Sequence, residues 1–175
     1  MSDHPDDIVK PTPQRMRRAP GFDELTEALP GGRTRKSGAK RVWTQLENLY
    51  RNRRLTDEQY QAGQKYYADW YLSGQSPKIT SRMAEWVQNS SGGSGSMDAA
   101  ERRVYHSKRF HQANGILEKM GTRKCIHWLI IAEMKPEDIG RKHWGYRGKH
   151  SAAAGAVTGI SISLQRLAVF YGIAK

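Results

Sequence analysis

The chain has 175 residues, a hydrophobic share of 37% and a formal charge of +12 with its histidines neutral. That length suits one domain or two small ones, and so low an apolar share predicts that part of the chain stays unpacked. The basic excess points to a polyanion, with double-stranded DNA the expected partner; a membrane surface, an acidic protein or a merely solvated basic surface are the alternatives.

In chain order, residues 1–38 are rich in Pro, Gly, Asp and Arg and read as a disordered basic arm, with a short helical turn at 22–29 as its only structure. Arg15, Arg17 and Arg18, then Arg33, Arg35 and Lys36, suit a phosphate backbone or a minor groove, and equally a solubilising linker. Residues 39–88 read as an N-terminal helical segment. From Lys40, the apolar positions Val42, Leu46, Leu49 and Tyr50 recur at helical spacing. Thr56, with Gln59 three residues on, predicts a capping box that opens a helix carrying Tyr60, Tyr67, Trp70 and Tyr71 and stopping at Gly74. A short third helix is expected over 80–88, around Met83, Trp86 and Val87. Residues 89–97 are Gly- and Ser-rich, a flexible linker by composition; a natural loop and a join between two pieces both fit.

Residues 98–175 read as a helical domain with a helix-turn-helix. Asp98 should cap a helix through Met120 that buries Val104, Ala113, Ile116, Leu117 and Met120, with Gly121 ending it. Residues 125–134 are apolar nearly all round, the pattern of a central core helix. Pro136 fits the first position of the next helix. Ser151 is expected to cap the last helix, whose buried stripe would be Ala153 or Ala156, Val157, Ile160, Leu164, Leu167 and Tyr171, with Gly172 at its end. No β pattern and no internal repeat stand out.

Catalytic equipment is not legible. The stretch 32–40 is glycine-framed and basic but fails as a phosphate loop: no Lys follows Gly38 directly, and Pro30 and Gly31 stand where a strand would precede it. His106 and His111 fall on different sides of a helix, as do Cys125 and His127, so no metal-ligand spacing appears. Cys125 is the only cysteine, which excludes an intrachain disulfide framework, and it reads as a small core residue. The expectation is no enzyme, no metal and no cofactor. The polar, acidic start is unlike a signal peptide, and the run 125–134 is too short to span a bilayer. A cytoplasmic protein with no membrane partner follows.

The helix-turn-helix reading rests on the segment around residue 140. A small residue, Gly140, permits a second helix to approach, with Ile139 as the buried anchor. Arg141, Lys142, Arg147, Lys149 and His150 then place cations about the turn, and Ser151 stands at the start of the following helix, a set suited to DNA phosphates. The competing reading is an ordinary helical hairpin with a solvated turn, in which Trp144 and Tyr146 cover the core edge rather than stack on bases. Ala152, Ala153, Ala154 and Gly155 leave the last helix little with which to read sequence. Arg102, Arg103, Lys108 and Arg109 form a second basic cluster, for backbone, for a protein partner, or simply for solvent.

The paired Arg102/Arg103, the apolar run 125–131, His143-Trp144-Gly145 and the closing 164–172 together resemble an uncharacterised helical domain of alphaproteobacterial and phage regulators of helix-turn-helix type. Leu55-Thr56-Asp57-Glu58-Gln59 and Gly74-Gln75-Ser76-Pro77-Lys78-Ile79-Thr80 fit the same family, so the resemblance spans roughly residues 50–172. It implies DNA binding. The expectation from sequence is thus an all-α protein, a small helical bundle with a C-terminal helix-turn-helix and a disordered basic N-terminal arm. Its function would be a phage-related, DNA-binding transcription regulator, with RNA polymerase as a candidate further partner. The rivals are a protein adaptor that meets an acidic surface, for example of RNA polymerase, and a nuclease or other nucleic-acid enzyme in which the fold brings together catalytic carboxylates or His111 and His127.

Overall fold

In the computed structural model, residues 20–28, 34–75 and 99–174 are described. The helix expected over 80–88 and the linker over 89–97 lie outside them, as do residues 1–19. Six helices dominate: α1 (Gln45–Arg51), α2 (Asp57–Leu72), α3 (Ala99–Lys119), α4 (Arg123–Ile130), α5 (Pro136–Trp144) and α6 (Lys149–Phe170). They are preceded by strands β1 (Phe22–Ala28) and β2 (Thr34–Val42), paired antiparallel.

The hairpin corrects three expectations: residues 22–28 form a strand and not a helical turn, β structure is present where no β pattern was read, and the helical pattern read from Lys40 begins only at Gln45. The two strands carry opposite charge in sequence. β1 carries Asp23, Glu24 and Glu27; β2 carries Arg35, Lys36, Lys40 and Arg41. The register sets Asp23 opposite Arg41, Glu24 opposite Lys40 and Glu27 opposite Arg35, and opposite charges across a pair of strands stabilise it. Arg51 ties the hairpin to α1, its Nη2 2.7 Å from Asp23 Oδ2 and its guanidinium 4.4 Å from the Trp43 ring centre.

Local chemistry sets the helix ends. The Thr44 hydroxyl accepts from the Glu47 amide at 3.1 Å, and α2 opens on the expected capping box, Thr56 and Gln59 each accepting from the other's backbone amide. Gly121 ends α3 in the left-handed region, at φ 70. The run 125–134 does not stay helical: α4 stops at Ile130, Glu133 turns to φ 50, and the Met134 amide reaches back to the Trp128 carbonyl at 2.8 Å. Pro136 then starts α5 at its first turn, as expected.

One core joins the elements. α6 is its axis, packed on α5, α2, α3 and α4. Its residues Ala152, Ala156, Ile160, Leu164 and Leu167 are fully buried at spacings of three and four, and from Ala156 on they join Leu46, Tyr66, Leu117, Ile126 and Ile139 in one cluster. Length and composition make α6 the one helix among the described residues able to cross a membrane; here its buried face closes the core. Polar bridges join the same elements: Tyr66 of α2 donates to Asn114 Oδ1 of α3 at 2.8 Å, and Gln59 of α2 to Gln165 Oε1 of α6 at 3.2 Å.

Candidate nucleic-acid interface

The helix pair α5–α6 is held at unusually short range. A Cβ on Gly140 would stand 2.1 Å from the Ala152 carbonyl oxygen, so only glycine lets the two backbones meet there. Ile139 beside it is fully buried. Both roles match the sequence reading. The turn is short: Gly145 takes the left-handed cap conformation at φ 70, and Gly148 already precedes α6. Arg141 and Lys142 therefore belong to the last turn of α5, where cations complement the negative end of the helix.

The two turn aromatics are packing residues. A Cβ on Gly159 would lie 2.8 Å from the Trp144 ring, and one on Gly155 would lie 2.6 Å from Tyr146. Gly155 and Gly159 are thus flat seats on α6 for rings delivered by the turn. Ser151 departs from its expected role. It stands within the first turn of α6, and its hydroxyl donates to the Gly148 carbonyl at 3.0 Å; the capping position is Gly148, which has no side chain to give. The first amides of α6 therefore lack a side-chain cap.

The cations around the turn divide by what they touch. Lys142 Nζ lies 4.6 Å from the Trp128 ring centre, a cation–π contact, and Lys149 Nζ lies 3.6 Å from Glu137 Oε2. His150 lines a cleft between α1 and α6. Arg141 and Arg147 are exposed, with no ion pair or ring contact among the described residues.

The second basic cluster separates further. Arg109 is a structural residue: its Nη1 donates to the Tyr105 hydroxyl at 2.7 Å, its Nε stands 3.6 Å from Asp69 Oδ2, and its guanidinium covers the Tyr171 ring at 5.1 Å. Asp69, 3% exposed, is the hub of that network, with His106 Nδ1 at 2.7 Å and the Tyr171 hydroxyl donating at 3.0 Å. A buried carboxylate held by three partners needs each of them. Arg102 is half-buried, whereas Arg103 and Lys108 are exposed and border a shallow depression with Val104 and His111.

A third group escaped the sequence reading. Arg123, Lys124, His127, Trp128 and His143 line a 560 Å³ cleft between α4 and α5, with Glu118 at its edge. Arg123 pairs with Glu118. Desolvation, then the Arg123 charge, pushes the His127 imidazole below its ordinary value and favours its neutral form. The signal was present: Arg123 and Lys124 open α4 with no acid in its first turn, against the helix dipole. Two cations at the positive end of a helix are a placement that stability alone does not favour. Among the described residues no group of three or more His, Cys, Asp or Glu side chains is arranged to hold a metal ion.

Comparison of the chain with protein-family models, with curated proteins and with solved structures found no match.

Proposed function

We propose that the chain binds double-stranded DNA through phosphate contacts at the α5–α6 turn and acts as a transcription regulator of helix-turn-helix type. The observation that carries this reading is the pair Arg141 and Arg147: exposed cations on a turn braced by the Gly140–Ala152 approach, with no internal acid to answer. Lys142, held over Trp128, links them to Arg123 and Lys124, and Lys149, His150 and the uncapped amides of α6 extend the same positive edge. A surface of this kind positions a duplex rather than reads its bases, since Ala153, Ala154 and Gly155 offer no polar reach into a groove.

Fluorescence anisotropy of a labelled duplex across a salt series tests it. Each phosphate contact contributes a slope of about −0.9 in log affinity against log salt. Arg141→Ala/Arg147→Ala should flatten the slope by roughly two contacts and weaken binding to all sequences alike. Absence of binding at low salt, or an unchanged slope in the double variant, sinks the proposal.

A second reading, an adaptor that docks on an acidic protein surface such as one of RNA polymerase, draws on exposed apolar side chains. Val104 is 68% exposed and Ile162 54%. It predicts a protein complex that survives salt which strips DNA from the chain.

A further inference from the structure

The cleft between α4 and α5 brings together Arg123, Lys124, His127 and Trp128 of α4 and His143 of α5 around 560 Å³. Arg123 and His127, four apart, share one face of α4, and Lys124 flanks them. Both Arg123 and Lys124 stand in the first turn, where no acid offsets them and the helix dipole opposes them. Among the described residues lining the cleft, Glu118 of α3 is the one acid, and it is paired with Arg123. A cleft walled by one sign of charge focuses its field and draws in the opposite sign.

This cleft adjoins the cationic turn. Lys142, beside Arg141 in the last turn of α5, lies over the ring of Trp128, which forms part of the cleft wall. His143, next in sequence, is held edge-on to Trp128 and Trp144, with ring centres 6.4 and 4.5 Å away. Two imidazoles thus stand among fixed cations beside the surface that meets the duplex. Arg and Lys are charged before and after an anion arrives, whereas imidazole ordinarily changes charge between about pH 5 and 8. His127 has Arg123 and Lys124 on its own helix, His143 on α5 and only the paired Glu118 on α3. Burial, then the Arg123 charge, holds it below its ordinary value and favours the neutral form in the free chain. A phosphate in the cleft reverses that balance, because it favours the imidazolium.

We propose that the α4–α5 cleft seats a backbone phosphate of the bound duplex on Lys124, His127 and His143, so that duplex binding takes up protons. The inference rests on the duplex-binding reading and deepens it: Arg141 and Arg147 supply a pH-independent hold, and the cleft adds one that strengthens in acid. Affinity should therefore rise as pH falls, by up to about tenfold per pH unit for each proton taken up.

The test is calorimetric titration of the full chain with a random-sequence duplex at low salt and about pH 6.5, in two phosphate-free buffers of different ionisation enthalpy. The difference in heat counts protons, and between about half a proton and two are expected, at most one for each imidazole. His127→Gln and His143→Gln should each reduce the uptake and together abolish it. His127→Gln, at an exposed position, keeps the test valid should the half-buried His143 prove needed for folding. His150→Gln, on the duplex edge but outside this cleft, should leave the uptake in place. Equal heats in the two buffers, uptake that survives the double variant, or uptake abolished by His150→Gln alone overturns the proposal. Such a result, beside a salt slope that still flattens in Arg141→Ala/Arg147→Ala, leaves the duplex reading standing. Absence of duplex binding at low salt removes both.

Discussion

Gly140 and Gly115 are both helical glycines, and the structure assigns them opposite fates on substitution. A Cβ at Gly140 meets the Ala152 carbonyl, a backbone atom that cannot swing aside, so Gly140→Ala must push α6 away from α5. The intrinsic helix gain of about 1 kcal/mol is then outweighed, and a net loss of about 1–3 kcal/mol is expected. At Gly115, in α3, nothing lies within 4 Å of the added carbon, so Gly115→Ala should gain about 0.5–1 kcal/mol. Urea midpoints of the two variants check this; shifts of the same sign would remove the close-packing account of the turn. The role of Gly140 was legible because it depends on local spacing from Pro136 and Ile139. That of Arg109 was not. Its surroundings in sequence, Lys108 and Phe110, say nothing of Asp69, and only the packing of α2 on α3 turned a surface cation into the partner of a buried carboxylate. Ser151 failed for the opposite reason: it has the right chemistry for a cap but lies inside the helix, since α6 begins at Lys149.

At the scale of elements, the helices were readable and the hairpin was not. Capping residues, Pro136 and the terminal glycines mark helix ends within a turn, and the apolar stripes of α2 and α6 repeat at the helical period. β1 and β2 alternate poorly, and their signal is instead complementary charge across a register that sequence periodicity does not measure. The change also removes Arg35 and Lys36 from a free basic arm, setting Arg35 opposite Glu27 and Lys36 opposite Thr26. A two-stranded ribbon is marginal by itself, and each cross-strand charge pair contributes about 0.2–1 kcal/mol. Glu24→Lys/Glu27→Lys places like charges opposite Lys40 and Arg35. Amide exchange should then show protection lost across residues 22–28 and 34–42, while the thermal midpoint of the helical core moves by no more than about 2 °C. Protection that survives the reversal would mean that something other than charge holds the strands.

At the scale of the whole molecule, a single apolar core encloses groups that ionise in alkali, and that sets a limit on stability. Burial pushes the Cys125 thiol up from 9.0 to about 11. The Tyr66 hydroxyl is raised well above its ordinary 10.0 by burial, and that of Tyr171 by burial first and then by the charge of Asp69, against the opposing pull of Arg109. In each case the folded value lies above the unfolded one, so with rising pH the unfolded chain gives up its proton first. The stability these groups allow is therefore whole below about pH 9 and is lost as pH climbs from there through the folded values. For Cys125 alone the loss by pH 11 is on the order of 2 kcal/mol. Urea denaturation followed by circular dichroism should give a flat midpoint from neutrality to about pH 8.5 and a steady fall between about 9 and 11. Cys125→Ala lowers stability at every pH by leaving a small cavity, but it should also make the alkaline slope shallower by up to one proton. An unaltered slope would mean that the thiol ionises equally in both states, and hence that it is not sealed within the core formed by α4 and α6.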